Sequence, residues 1–260
     1  MSADLILSAL RSSPVLVGDC PEATVFDRSG LALPDEAGAI SLDQKLGHIY
    51  EDGLAALLEK SECYDLLEKS LQIQSDKHRT LGELDFLLRD RTSGAIIHLE
   101  LAVKFYLAVE SADGHQLPGP DARDNYDKKL KRLRSHQLTL VQQFREHLPV
   151  AYRDEPITTR QLVIGSLFDH ISAAQPAQAA YLRPNARRGK WLHQHELIQH
   201  FPAQSPYIIP KHLWPVEVNK LPSSSLEPLD TTELLDRCVM VHLESEPMPL
   251  FIAPDAYPGV

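Results

Sequence analysis

A chain of 260 residues, 43% hydrophobic and 24% charged, can bury a full core, either as one large α/β domain or as a main domain with a smaller companion. Its formal net charge of −10 counts against broad, non-specific affinity for nucleic acid, which draws on many Lys and Arg contacts to phosphate, and leaves room only for a local basic cleft. Three widely spaced cysteines, Cys20, Cys63 and Cys238, argue for a reducing compartment and against a structural zinc site. No stretch approaches the length of a membrane span, and the start MSADLILSALRSS lacks the basic head and long apolar centre of a signal peptide. The expectation is a soluble, cytoplasmic protein with no membrane partner.

In chain order, Leu42–Ser61 reads as a helix, with Leu46, Ile49, Tyr50, Leu54, Leu57 and Leu58 at helical spacing. Glu51 falls at the margin of that stripe, where a carboxylate can point at a sheet instead of water. Ser61–Leu71 reads as a turn and a short helical piece, and Leu71–Gln74 as the start of a strand. Two strand-like runs follow within Leu81–Leu107, joined by a turn at Arg91–Gly94. Leu117–Asp121 is a breaker, and Asp124–His147 predicts one long helix stopped by Pro149. Gln161–Leu167 is short, apolar and β-branched, the pattern of a buried strand. Trp191–Phe201 predicts a helix in which His193 and His195 are surface or core polar residues. Tyr207–Val218, interrupted by Pro210 and Pro215, fits an edge strand. Thr231–Val239 predicts a short helix followed by a last strand, and the proline-rich Glu246–Val260 an irregular tail.

The chemistry concentrates in Leu81–Leu107, where acidic residues recur inside strongly apolar sequence. On an extended strand Glu83 and Asp85 leave one face while Leu84, Phe86 and Leu88 leave the other. His98, Glu100, Ala102 and Lys104 share a face of the second run, so a hairpin brings Asp85 and Glu100 together. Close carboxylates resist ionisation, and a divalent cation such as Mg²⁺ relieves both the repulsion and the burial while polarising a phosphoryl oxygen. The plainer alternative is an edge hairpin with Glu83, Asp85 and Glu100 in solvent and Lys104 as a cross-strand partner. Two basic segments accompany this motif. Lys128, Lys129, Lys131, Arg132 and Arg134 open the long helix, and Arg183–Lys190 includes Arg187 and Arg188; each is otherwise a solvated face.

The motifs LGHIYEDGL at Leu46–Leu54, GELDFLL at Gly82–Leu88, HLELAVKFYL at His98–Leu107 and GPDARDNYDKKLKRL at Gly119–Leu133 resemble the bacterial family DUF1853, itself grouped with the PD-(D/E)XK nuclease superfamily. The resemblance runs from about Leu42 into the C-terminal strands. It implies an α/β fold with a restriction-endonuclease-like core, a mixed central sheet flanked by helices in the order α-β-β-β-α-β. Residues 1–40 would then be an N-terminal extension, 41–218 the core, and 219–260 a C-terminal extension packed on it.

The resemblance also implies roles. Glu51 matches the acidic residue of the first core helix, Asp85 the aspartate of the second core strand, and Glu100 the acidic residue opening the third-strand signature. Together they would hold Mg²⁺ or Mn²⁺. The signature lysine belongs two residues after Glu100, where this chain has Ala102; Lys104 is the available lysine, roughly 13 Å along the strand from Glu100 instead of about 7 Å. Lys129 is a possible replacement. The implied activity is metal-dependent hydrolysis of phosphodiester bonds in DNA or RNA. Glu83 would serve as a further ligand or supporting group, and Gly82 would either permit close approach or simply make a turn. Lys128, Lys129, Lys131 and Arg132 would meet backbone phosphates, and Tyr126 would stack on a base or fill the core. A nuclease-like fold retained only for binding or scaffolding is the alternative, favoured by the displaced lysine and the acidic charge. A hydrolase of small phosphate esters is a third reading.

Overall fold

The computed structural model describes residues 2–34, 40–75, 79–112 and 114–259. The elements in chain order are α1 (Ser2–Ser12), β1 (Thr24–Val25), α2 (Leu46–Glu59), β2 (Tyr64–Gln74), β3 (Thr80–Asp90), β4 (Ile96–Ser111), β5 (Gly114–Gln116), α3 (Tyr126–Ser135), α4 (Leu140–Gln143), α5 (Val150–Arg153), β6 (Ile157–His170), β7 (Arg187–His193), α6 (Leu197–His200), β8 (Tyr207–Ile208), β9 (Glu227–Pro228), β10 (Val239–His242) and β11 (Leu250–Ala253). The strands form one sheet in the order β2-β3-β4-β6-β7-β11-β10-β8-β9, with β1 on β6 and β5 on β4. It is mixed: β2, β3 and β4 pair antiparallel, whereas β4-β6, β6-β7 and β7-β11 are parallel. No described helix is long and apolar enough to cross a membrane.

Helices cover both faces of this sheet, giving an α/β fold. On one side α1 and α2 bury Ile6, Leu10, Tyr50, Leu54 and Leu57 against Leu99, Leu101 and Phe105 of β4. On the other, Tyr126, Leu130 and Leu133 of α3 pack with Tyr106 and Ala108. The even and odd positions of β4 thus serve opposite layers, as the two-residue period of a strand requires. The neighbouring β6 is buried along most of its length, extending the strand expected at Gln161–Leu167 in both directions.

Several elements differ from the sequence expectation. Ser61–Leu71, expected as a turn and helical piece, is largely β2, which pairs with β3 from Tyr64↔Asp90 to Gln74↔Thr80; cross-strand pairing overrides the helical preference of its Leu, Glu and Lys residues. The long helix expected over Asp124–His147 breaks at His136, whose φ of −132° and ψ of −67° are not helical. The bend lets Leu130, Leu133 and Leu138 cover one part of the sheet while Leu140 and Val141 cover another, beside Leu84 and Leu87. Trp191, expected in a helix, lies in β7 and donates its indole N–H to the Ala108 carbonyl at 2.8 Å. Thr231–Val239 holds no helix; Asp230 instead accepts from the Thr232 backbone and hydroxyl in a turn. The expected irregular tail contains β11, an interior strand with β7 on one side and β10 on the other.

Candidate functional site

The site begins where β3 and β4 part. Their pairing runs from Arg89↔Ile96 to Phe86↔Leu99 and stops, so the next residue on each strand is Asp85 or Glu100. Asp85 Oδ2 accepts from the Leu101 backbone N–H at 2.9 Å, replacing with a side chain the bond that the ladder no longer supplies. The expected face pattern of β3 breaks at this point. Leu84 packs with Leu140 and Val141, whereas Phe86 and Leu88 join the core under α2. Ser70, between the paired positions Lys69↔Phe86 and Leu71↔Leu84, has a φ of 54°, rare for a residue with a side chain.

Glu100 is 2% exposed, and both its oxygens are engaged: His98 Nε2 lies 2.7 Å from Oε1, and Gln137 Nε2 donates to Oε2 at 2.9 Å. The break at His136 places Gln137 at the first position of the following turn. Burial foremost, then the Glu100 charge, raises the Asp85 carboxyl far above the ordinary carboxylate range, to about 8; the Leu101 N–H opposes this, and Glu51 and Glu83 add to it. Glu51, on α2, is half-buried with His48 Nδ1 at 3.0 Å. Glu83 is exposed, and Gln72 Nε2 donates to it at 3.4 Å.

Asp85 and Glu51 line a cleft of about 570 Å³, which Lys104, Lys129, Arg132 and Lys211 also line. Lys104 Nζ stands 3.5 Å from Asp124 Oδ2 and Lys129 Nζ 4.0 Å from Oδ1, so both candidate lysines converge on one carboxylate. The cleft therefore gathers Glu51, Asp85, Lys104, Lys129 and Arg132, with Glu100 enclosed behind Asp85. Lys128 is exposed, and Lys131 lines a separate hollow with Glu22 and Arg134. Asn125 caps α3 by accepting from the Asp127 and Lys128 backbone, and the i, i+3 spacing turns Lys129 and Arg132 to the same side.

Other candidates have structural partners. Tyr126 is buried and donates to the Ala180 carbonyl at 2.6 Å. A Cβ at Gly82 would meet Leu140 Cδ2 at 2.4 Å, so that glycine serves packing. In the second basic segment Arg187 is buried on the Trp214 carbonyl and Arg188 pairs with Asp169. Sequence reasoning placed His98 and Glu100 on one face but gave His98 no role, and left Gln137 inside the long helix expected over Asp124–His147. Lys211 and Asp124 carried no signal, because they reach the cleft from other elements.

A second cluster was also missed. Among the described residues, His170, His193 and Glu196 form the one group of three His, Cys, Asp or Glu whose ligand atoms lie within 4.8 Å of one another, a spacing compatible with a metal ion. It stands at the ends of β6 and β7.

Fold and site together define a mixed-sheet α/β protein whose cleft sets four basic side chains against the carboxylates of Glu51, Asp85, Asp121 and Asp124. The chain belongs to DUF1853, a family described as a domain of unknown function, whose family model matches residues 24–253. No curated protein and no solved structure matches it.

Proposed function

We propose that this chain is a metal-dependent nuclease that hydrolyses phosphodiester bonds in DNA or RNA, built on a restriction-endonuclease-like core of the PD-(D/E)XK type. The observation that carries this reading is the pairing of Asp85 and Glu100 at the parting of β3 and β4, beside a cleft lined by four cationic side chains. The succession α2, β2, β3, β4, α3, β6 supports it by matching the helix and strand order expected of that core.

The donor set fits Mg²⁺ or Mn²⁺ in ligand type, although Glu51, Asp85 and Glu100 do not bring three ligand atoms within 4.8 Å of one another as His170, His193 and Glu196 do. Asp85 and Glu100 offer hard oxygen ligands, and the raised Asp85 pKa marks like charge in a desolvated place that a divalent cation relieves. Asp85 and Glu100 would hold the ion, with Glu51 assisting from α2. When bound, the cation supplies Lewis acidity to the phosphoryl group and acidifies the attacking water. Lys104 would position that water, Lys129 standing in for it, and Arg132 with Lys129 would hold the backbone phosphate. The attacking oxygen forms a bond to phosphorus as the bond to the leaving oxygen breaks, and that oxygen takes up a proton.

A second reading, a nuclease-fold protein that binds or scaffolds without cleaving, draws on two observations: Glu100 is enclosed with both oxygens occupied, and Lys104 and Lys129 share Asp124. Calorimetric titration with Mg²⁺ and Mn²⁺ separates the two, comparing the parent with folded Asp85→Ala and Glu100→Ala variants. A labelled-substrate screen across single- and double-stranded DNA and RNA completes it. The nuclease requires cation binding that both variants lose and cleavage that depends on the cation. Failure to bind, with and without nucleic acid, leaves the scaffold.

A further inference from the structure

We infer a separate site for a zinc-class divalent cation at His170, His193 and Glu196, independent of the carboxylate cleft. Two imidazoles and one carboxylate are borderline donors that favour Zn²⁺, Co²⁺ or Ni²⁺ over Mg²⁺. The three residues come from the end of β6, the end of β7 and the turn that follows, so their approach is fixed by the pairing of neighbouring strands.

The ligands are held in place from behind. His193 Nδ1 lies 3.1 Å from the Pro254 carbonyl oxygen, which can only accept, so the proton belongs on Nδ1 and Nε2 keeps a lone pair. A ring N–H given to a backbone carbonyl is the usual support of a metal-bound histidine. His170 Nδ1 meets the Ser172 hydroxyl at 2.7 Å while its Nε2 faces Glu196 Oε2 at 3.0 Å. A cation between these two takes the place of the proton now shared there, and Nδ1 then donates to Ser172 Oγ, giving up the long 3.4 Å bond it accepts from the Ser172 backbone N–H. Glu196 Oε2 also accepts from the His193 backbone N–H at 2.8 Å, which limits the reordering of Glu196 that binding demands.

Tetrahedral zinc holds ligand atoms roughly 3.3 Å apart given bonds near 2.0–2.1 Å, so the His170–Glu196 pair at 3.0 Å opens slightly and the wider spacings, up to 4.8 Å, contract to close the site. His195 is not a fourth ligand: its ring stacks on that of His193 with centroids 5.7 Å apart, and its Nδ1 sits on Asp255. His170 and Glu196 are 20% and 18% exposed, so a fourth position remains open to water. The site would clip β6 to β7, and through Pro254 to the segment after β11.

The test is equilibrium dialysis of the full chain against Co²⁺, with the visible absorption of the bound ion recorded. The comparison set is Asp85→Asn, which disables the carboxylate cleft, and His193→Gln and Glu196→Gln, which disable the proposed site. We expect one tetrahedral Co²⁺ per chain by its visible absorption, apart from any six-coordinate ion held in the cleft, with that absorption unchanged in Asp85→Asn and its binding at least tenfold weaker in the other two. We also expect Zn²⁺ at a hundredfold excess over its Kd to raise Tm by roughly 5 °C or more. If His193→Gln does not fold, Glu196→Gln decides, since its amide oxygen still accepts from the His193 backbone. Retention of the tetrahedral Co²⁺ absorption by Glu196→Gln, its loss in Asp85→Asn, or its absence from the parent overturns the proposal. None of these readouts depends on nuclease activity.

Discussion

Asp85 keeps its proton into the neutral range because burial and Glu100 both oppose its charge. A carboxyl whose folded pKa is raised binds its proton more tightly in the folded chain than in the unfolded one. Rising pH therefore destabilises the fold as it climbs from the ordinary carboxylate range toward about 8. Asp85→Asn, which can still accept from Leu101, should flatten that slope in urea titrations across pH 4–9. Metal binding at Asp85 should tighten as pH rises toward 8, because the cation displaces the proton. Gln137→Ala removes the donor to Glu100 Oε2 and should cost about 1–3 kcal/mol in the same denaturation experiment, since a nearly inaccessible carboxylate then lacks a partner. At this scale Asp85 and Glu100 were legible because carboxylates inside apolar strands are rare enough to stand out. His98 was half legible through its two-residue spacing from Glu100. Gln137, Asp124 and Lys211 were not, since contacts made 37 residues away or across elements leave no local pattern.

Among the elements, β4 and β6 form the axis of the site, and their closeness rests on Gly165. It has a φ of 146° and lies opposite Lys104, where an added Cβ would be 1.7 Å from the Lys104 carbonyl oxygen. Gly165→Ala should cost more than about 3 kcal/mol, or prevent a folded state accumulating, as read by circular dichroism and thermal unfolding. A side chain there must push β6 from β4, displacing the strand that carries Glu100 and Lys104. The helix α2, the hairpin of β3 and β4 and the buried β6 were readable in the sequence because each has its own period or unbroken apolar run. β2 and β7 were not. The leucines, glutamates and lysines of β2, and the Trp191–His193 opening of WLHQHELIQHF, suit a helix, and only partners distant in sequence make them strands, whereas Leu197–His200 is helical as expected. The bend at His136 was hidden for a related reason: the apolar stripe continues past it, although two parts of the sheet receive it.

For the molecule as a whole the charge is acidic, whereas at the cleft Lys104, Lys129, Arg132 and Lys211 balance Glu51, Asp85, Asp121 and Asp124. A chain of −10 repels nucleic acid at a distance, and the cations at the cleft are few. If Lys104, Lys129, Arg132 and Lys211 each meet a phosphate, log K against log salt for a short duplex should fall with a slope of roughly −3 to −4. Lys129→Ala with Arg132→Ala should make that slope shallower by about 2, as measured by fluorescence anisotropy in a salt series. A slope unaffected by the pair would remove α3 from the interface. The acidic average was plain from composition; the gathering of basic side chains at the cleft depended on α3 lying across β4, which composition does not report.

The position of β11 bears on how the molecule is made. A strand formed by residues 250–253 sits between β7 and β10, so the sheet stays divided until almost all of the matched 24–253 segment has left the ribosome. During synthesis β7 and β10 would each present an unpaired edge, open to another nascent chain. A premature stop only a few codons before Leu250 would remove the seam that joins the two halves of the sheet.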